Sequence, residues 1–196
     1  MASQLQYVSP ARAGGFVSGS GARRYIISHQ TPTTAITAQT GWVATTPTFI
    51  IYKTSSQTTR RLIVSLISLE QTGTVAGGAI NIIGAIDPTN RYASGGTAVV
   101  PQLTTLQQVA SGTTPEFAFR YNATASAAGA SDDIPRYFNI GTFPAATGTT
   151  LPTIDCQDEF IIKGPGSFLL YVWGATTGPT LNFTFEVYED DVKGDM

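Results

Sequence analysis

From residue 23 onward the chain alternates in steps of two. In EFAFRYNAT (116–124), Phe117, Phe119 and Tyr121 alternate with Glu116, Arg120 and Asn122. In TLNFTFEVY (180–188), Leu181, Phe183, Phe185 and Val187 alternate with Thr180, Asn182, Thr184 and Glu186. Successive side chains of a strand point to opposite faces, so each run predicts a strand with its apolar set in a core and its polar set toward water. Two other runs, RRLIVSLISLEQTG (60–73) and SFLLYVWGAT (167–176), carry apolar groups in both frames. In the first, Leu62, Val64 and Leu66 fall on one face and Ile63, Ile67 and Leu69 on the other. Such runs predict strands buried on both sides.

Between these come RRYIISHQ, closed by Thr31-Pro32, then TFIIYKT after Pro47, and AINIIGAID. The last stops at Asp87-Pro88-Thr89-Asn90, a type I turn signature. RYASGGTAVVPQL turns through Gly95-Gly96, and its Pro101 marks an edge or a bulge. RYFNIGTF and DEFIIKG follow. The link ATTGP, with Gly178 and Pro179, predicts a hairpin joining the last two strands. The count is nine to eleven strands without a helix, with turn signals at sandwich spacing. No alternating βα units and no fixed-period repeat occur, so the expected fold is all-β: an antiparallel two-sheet sandwich of jelly-roll type. Residues 1–22, rich in Gly, Ser and Ala, predict an extended N-terminal arm; 23–190 the sandwich; and 191–196 an acidic tail.

Composition supports this. Charged residues make up 12% of the chain, about half of the usual ~25%. Thr, Ala, Gly and Ser take their place, and scarce Glu and Lys disfavour helices. A single cysteine, Cys156, rules out an intramolecular disulfide and a multi-cysteine zinc site. It predicts a small buried residue. No apolar run reaches the length of a signal peptide core or a membrane span, so neither Sec export nor a membrane is expected.

Resolved along the chain, charge is asymmetric. Residues 1–69 hold six basic groups and no acid (+6), whereas 70–196 hold five basic and thirteen acidic groups (−8), giving the formal −2. Six scattered cations without a dense patch predict no direct nucleic-acid contact. Basic and acidic surfaces are expected to meet, within one subunit or between neighbours.

Candidate chemistry is sparse. His29, the only histidine, fits an ordinary half-exposed strand position. No Ser-His-Asp or Cys-His arrangement suggests itself, and nothing singles out a carboxylate pair for glycoside hydrolysis. The acids at Asp132-Asp133 and Asp155–Glu159 lack EF-hand spacing. GTVAGG and SGGT lack phosphate-loop patterns and read as turns. No enzyme, metal or cofactor is expected. Trp173 fits a core, whereas Trp42, in the Thr-rich QTGWVATT, fits an exposed contact.

The Gly-rich arm, the run LISLEQTGTVAGGAINIIGAIDPTNRYASGGTAVVPQ and the ending GSFLLYVWGATTGPTLNFTFEVYED together resemble a tailed-bacteriophage decoration, or cement, protein of jelly-roll type. The resemblance lies in style over residues 60 to 190, and no family residue maps onto this chain singly. It implies a homo-oligomer, a trimer or a dimer, that bridges major capsid protein subunits on the virion surface after assembly in the host cytoplasm. On that expectation Tyr7, Arg12, Phe16, Arg23 and Arg24 form a clamp on capsid or a neighbouring subunit, with Trp42 a further contact. The alternative is the receptor-binding head of a tail fibre or spike, taking host glycan through Trp42 or loop acids.

Overall fold

A computed structural model describes residues 23–29, 31, 34–54, 60–72, 78–104, 114–127, 136–145, 151, 153–174 and 176–191. Twelve strands run in chain order: β1 (Arg23–Ser28), β2 (Ile36–Thr37), β3 (Phe49–Lys53), β4 (Arg60–Thr72), β5 (Ala79–Asp87), β6 (Tyr92–Val99), β7 (Gln102–Leu103), β8 (Ala118–Ala125), β9 (Arg136–Pro144), β10 (Ile154–Ile162), β11 (Gly166–Gly174) and β12 (Thr180–Asp191). No helix occurs among the described residues. The proposed arm, with Tyr7, Arg12 and Phe16, lies outside them.

The strands form two antiparallel sheets. The first runs β10-β4-β12-β1-β7, with β2 also on β12; the second runs β6-β8-β3-β11-β5-β9. Four nested pairs organise both: β1 with β12, β3 with β11, β4 with β10, and β5 with β9. Outermost strands in sequence thus pair with each other, and so on inward, which is the jelly-roll order. The segment between β5 and β9 adds β6 and β8 to the second sheet and β7 to the first.

Alternation builds the core as expected. Leu181, Phe183, Phe185 and Val187 of β12 face Phe49 and Ile51 of β3, Phe117 and Phe119, and Phe168, Leu170 and Val172 of β11 in one cluster. Burying each large side chain stabilises the fold by about 1.5–3 kcal/mol. Phe49, Phe119, Phe183 and Phe185 interlock with ring centroids 4.9 to 6.1 Å apart. Cys156 joins this core.

Two expectations are corrected. β11 and β12 are not a hairpin: β11 lies in the second sheet and β12 in the first, so the link that holds Gly178 and Pro179 crosses from one sheet to the other. Gly178 passes so close to the Ala38 carbonyl that a Cβ there would collide with it. Glycine and proline serve such a crossing as readily as a tight turn, and both strands are equally apolar. In β4, Leu62, Val64, Ile67 and Leu69 all enter the same core. Val187 pairs with Val64 but Glu186 with Leu66, so Ser65 is an extra residue, a bulge that switches the inward frame. Apolar groups in both frames therefore reflect a change of phase, although Ile63 is also buried, under Tyr188 on the outer face.

Candidate interaction surface

The second sheet carries a second apolar layer on its outer face. Because β11 is central, its outward Leu169 and Tyr171 are as buried as its inward residues. They pack with Ile50 and Tyr52 of β3, Ala85 of β5, and Ala123 and Ala125 of β8, with Trp173 half-buried beside them. Trp173 thus belongs to this outer layer and not to the inter-sheet core.

The link between β2 and β3 runs over this face and is pinned to it. Gln39 bonds through its N–H to the Val172 carbonyl (3.2 Å) and accepts from Gly174 N–H (3.1 Å). Tyr171 donates its hydroxyl to the Ala44 carbonyl (2.8 Å), and Ala125 N–H donates to Thr45 (2.9 Å). Burial first, and the Tyr137 phenol second, push the Tyr171 pKa upward, so it stays a neutral donor. At the crest of this link Trp42 meets Tyr137 of β9 edge-on (5.8 Å) and Tyr171 at 6.2 Å. Trp42 is 45% exposed, Val43 50% and Tyr137 41%. The outcome is an aromatic ledge with a buried tyrosine as its foot.

On the same outer face, Tyr52 stacks on Tyr92 (4.6 Å, 8°), and Arg120 lies over Tyr92 at 4.9 Å. Arg120 donates to Tyr52 Oη (3.3 Å) and to the Gly95 and Gly96 carbonyls. Arg91 and Asp87 form a buried ion pair at 2.6 Å.

The expected contact residues do not gather in one place. Trp42 is on the outer face of the second sheet. Arg24 is on the outer face of the first, donating to Glu186 at 2.6 Å while Tyr188 donates to that carboxylate's other oxygen. Arg23 points toward the interior, 3.9 Å from Glu189. The expected meeting of basic and acidic parts is intramolecular here: Arg24–Glu186, Arg23–Glu189 and Lys53–Glu116 each join the basic first third to the acidic remainder. His29 follows β1, half-buried, with Nε2 3.5 Å from Tyr121 Oη and its ring edge-on to Phe183.

A polar cluster inside one end of the sandwich was missed in the sequence. Lys53 and Glu189 are both fully buried. Glu189 Oε1 accepts the Glu116 backbone N–H (2.5 Å) and Oε2 accepts the Tyr25 hydroxyl (3.0 Å). Lys53 Nζ reaches Glu116 Oε2 at 3.3 Å and donates to the Arg60 carbonyl. Burial is the main cause that raises the Glu189 pKa, with Glu116 adding to it, while the Glu116 N–H, Tyr25 and Lys53 pull the other way. A signal was present: each residue continues an inward alternation, Phe49-Ile51-Lys53 and Phe185-Val187-Glu189.

Among the described residues no group of three or more His, Cys, Asp or Glu is placed to hold a metal ion, and no helix is long and apolar enough to cross a membrane. Comparison with protein-family models, with curated proteins and with solved structures finds no match.

Proposed function

We propose that the chain is a non-catalytic structural part of a phage virion, which decorates the capsid and bridges major capsid protein subunits, acting as a homo-oligomer, with a trimer favoured over a dimer. The observation that carries this reading is the ledge of Trp42, Val43 and Tyr137. Aromatic groups exposed together, and held by a buried hydroxyl-to-carbonyl bond, form a contact that loses little side-chain freedom on docking. The jelly-roll order agrees with the resemblance in the sequence, and an oligomer that seats several ledges at once multiplies a modest single contact into high avidity. Residues 1–22, with Tyr7, Arg12 and Phe16, complete the docking surface as an arm in this proposal.

The test is occupancy on parent heads stripped of this protein. Wild type rebinds, Trp42→Ala/Tyr137→Ala rebinds weakly while keeping its oligomeric state, and deletion of residues 2–22 reduces occupancy further. Full occupancy by the double variant would sink the ledge, and a monomer in light scattering would sink the oligomer.

The same ledge supports a second reading, a receptor-binding head. Flat, exposed aromatic faces also suit the apolar side of a sugar ring. Binding of the wild type on a glycan array, lost in Trp42→Ala, would favour that reading over capsid attachment.

A further inference from the structure

The Lys53 cluster has the parts of a bond-forming site. Lysine is almost never fully buried unless it is paired. Here the amine reaches two acceptors among the described residues, the Arg60 carbonyl and the Glu116 carboxylate. An ammonium would bring three N–H donors to those two acceptors. An uncharged amine would bring two N–H groups and a lone pair. Nζ lies 3.3 Å from Oε2 of the Glu116 carboxyl group, beside the carbon that an uncharged amine would attack.

We propose that the Lys53 amine and the Glu116 carboxyl condense in the folded chain to an intramolecular side-chain amide. The uncharged nitrogen attacks the carboxyl carbon of Glu116. The C–N bond forms, the C–O bond to the carboxyl hydroxyl breaks, and that hydroxyl leaves with a nitrogen proton as one water. Nothing is oxidised or reduced, and no other reagent is consumed.

Three features of the site favour the step. First, β3 and the start of β8 hold the reacting groups together. Tyr52 pairs with Ala118, which puts Glu116 just beyond the end of the ladder, and well-oriented intramolecular pairs reach effective molarities of about 10⁵–10⁸ M. Second, a charge on fully buried Lys53 carries a desolvation cost, and a neutral amide removes it. Third, Glu189 grips the Glu116 backbone N–H and lies within electrostatic reach of both reacting groups. Burial shifts Glu189 toward its neutral form, in which it can pass a proton to the departing hydroxyl and take one back from the nitrogen, so that one water is still the only product released. Tyr25 and Phe117, edge to face at 5.4 Å, wall the site on the side of the core. Glu116 keeps 26% of its side chain exposed, which gives the released water an exit.

The test is the intact mass of the purified full chain. The wild type is expected to be lighter by one water than its sequence requires, and a protease digest should yield one branched peptide joining the segments around Lys53 and Glu116. Lys53→Arg keeps a cation but has no amine, and should show its full mass. Glu116→Gln should lose ammonia instead and end as the same cross-linked product as the wild type. Glu189→Gln, still folded by its cooperative thermal transition, should keep the uncondensed mass. A wild type at full sequence mass, or the same loss of water in Lys53→Arg, would overturn the proposal. Unchanged condensation in Glu189→Gln would overturn the role given to Glu189.

Discussion

Tyr25 donates its hydroxyl to Glu189 across 3.0 Å, diagonally over the β1–β12 pair, inside the end of the sandwich. A phenol and a carboxylate share a buried bond, and each is pushed toward its neutral form. Burial and the Glu189 charge push Tyr25 up to about 12 from 10.0, and burial raises Glu189 above its ordinary 4.5.

For Glu189 the linkage runs against the usual carboxylate. A group whose folded pKa is raised contributes stability that is fully present below the unfolded value and is lost as pH rises through the folded one. The urea midpoint of the wild type should therefore carry a declining contribution as pH climbs from 4.5. Glu189→Gln should show a flatter profile over that window. Slopes are compared, so a uniform change in level does not enter. Parallel profiles for the two chains would contradict the assignment.

At the alkaline end Tyr25 behaves in the same sense. Its contribution should persist below pH 10 and disappear as pH rises through about 12. Ultraviolet titration should show late-ionising phenols, Tyr171 among them, and Tyr25→Phe should lower their number by one. At neutral pH that variant should cost about 1–3 kcal/mol, because Glu189 loses a buried donor.

Gln71 is fully buried on β4, and neither its amide oxygen nor its nitrogen has a hydrogen-bond partner among the described residues. Gln71→Met keeps the length and removes the unsatisfied amide. It should stabilise the chain by about 1 kcal/mol or more, seen as a rise in urea midpoint at constant slope.

Gly84 of β5 lies under the ring of Phe138, where a Cβ would overlap the ring itself. Phe138 in turn stacks on Phe160 at 4.5 Å and ties β9 of one sheet to β10 of the other. Gly84→Ala should cost about 1–3 kcal/mol by displacing that ring. Phe138→Leu should be non-additive with it in a double-mutant cycle, since both changes act on one contact.

Arg24→Ala should cost under about 1 kcal/mol, and less in high salt. Its partner Glu186 is held at 2.6 Å, but the Arg24 side chain is 40% exposed. Chemical denaturation at two ionic strengths measures it.

The sandwich was legible because one rule, side chains alternating between faces, governs nearly every strand, and the aromatic frames of residues 117–121 and 181–187 obey it. It failed where the rule changes phase or meets an exception. Ser65 shifts the frame of β4 by one, so two apolar sets that look opposed share one core. The crossing after β11 carries the same Gly-Pro chemistry as a hairpin, and only long-range pairing distinguishes them. Lys53, Gln71 and Glu189 each take the next inward step after an apolar series. Alternation alone does not tell a strand leaving the core from a polar group inside it, and these three are inside. Trp42 was legible as an exposed residue because a tryptophan in a Thr-rich link has no alternation to bury it. Its partners Tyr137 and Tyr171, 95 and 129 residues later in the chain, were not.

The pairing of β1 with β12 places Arg23 beside Glu189, so the chain enters and leaves the sandwich at one corner. A load applied through residue 23 and residue 191 would open that pair like a zipper, one rung at a time, instead of shearing all its rungs together. Anchoring through the ledge on the outer face of the second sheet would leave that corner unloaded.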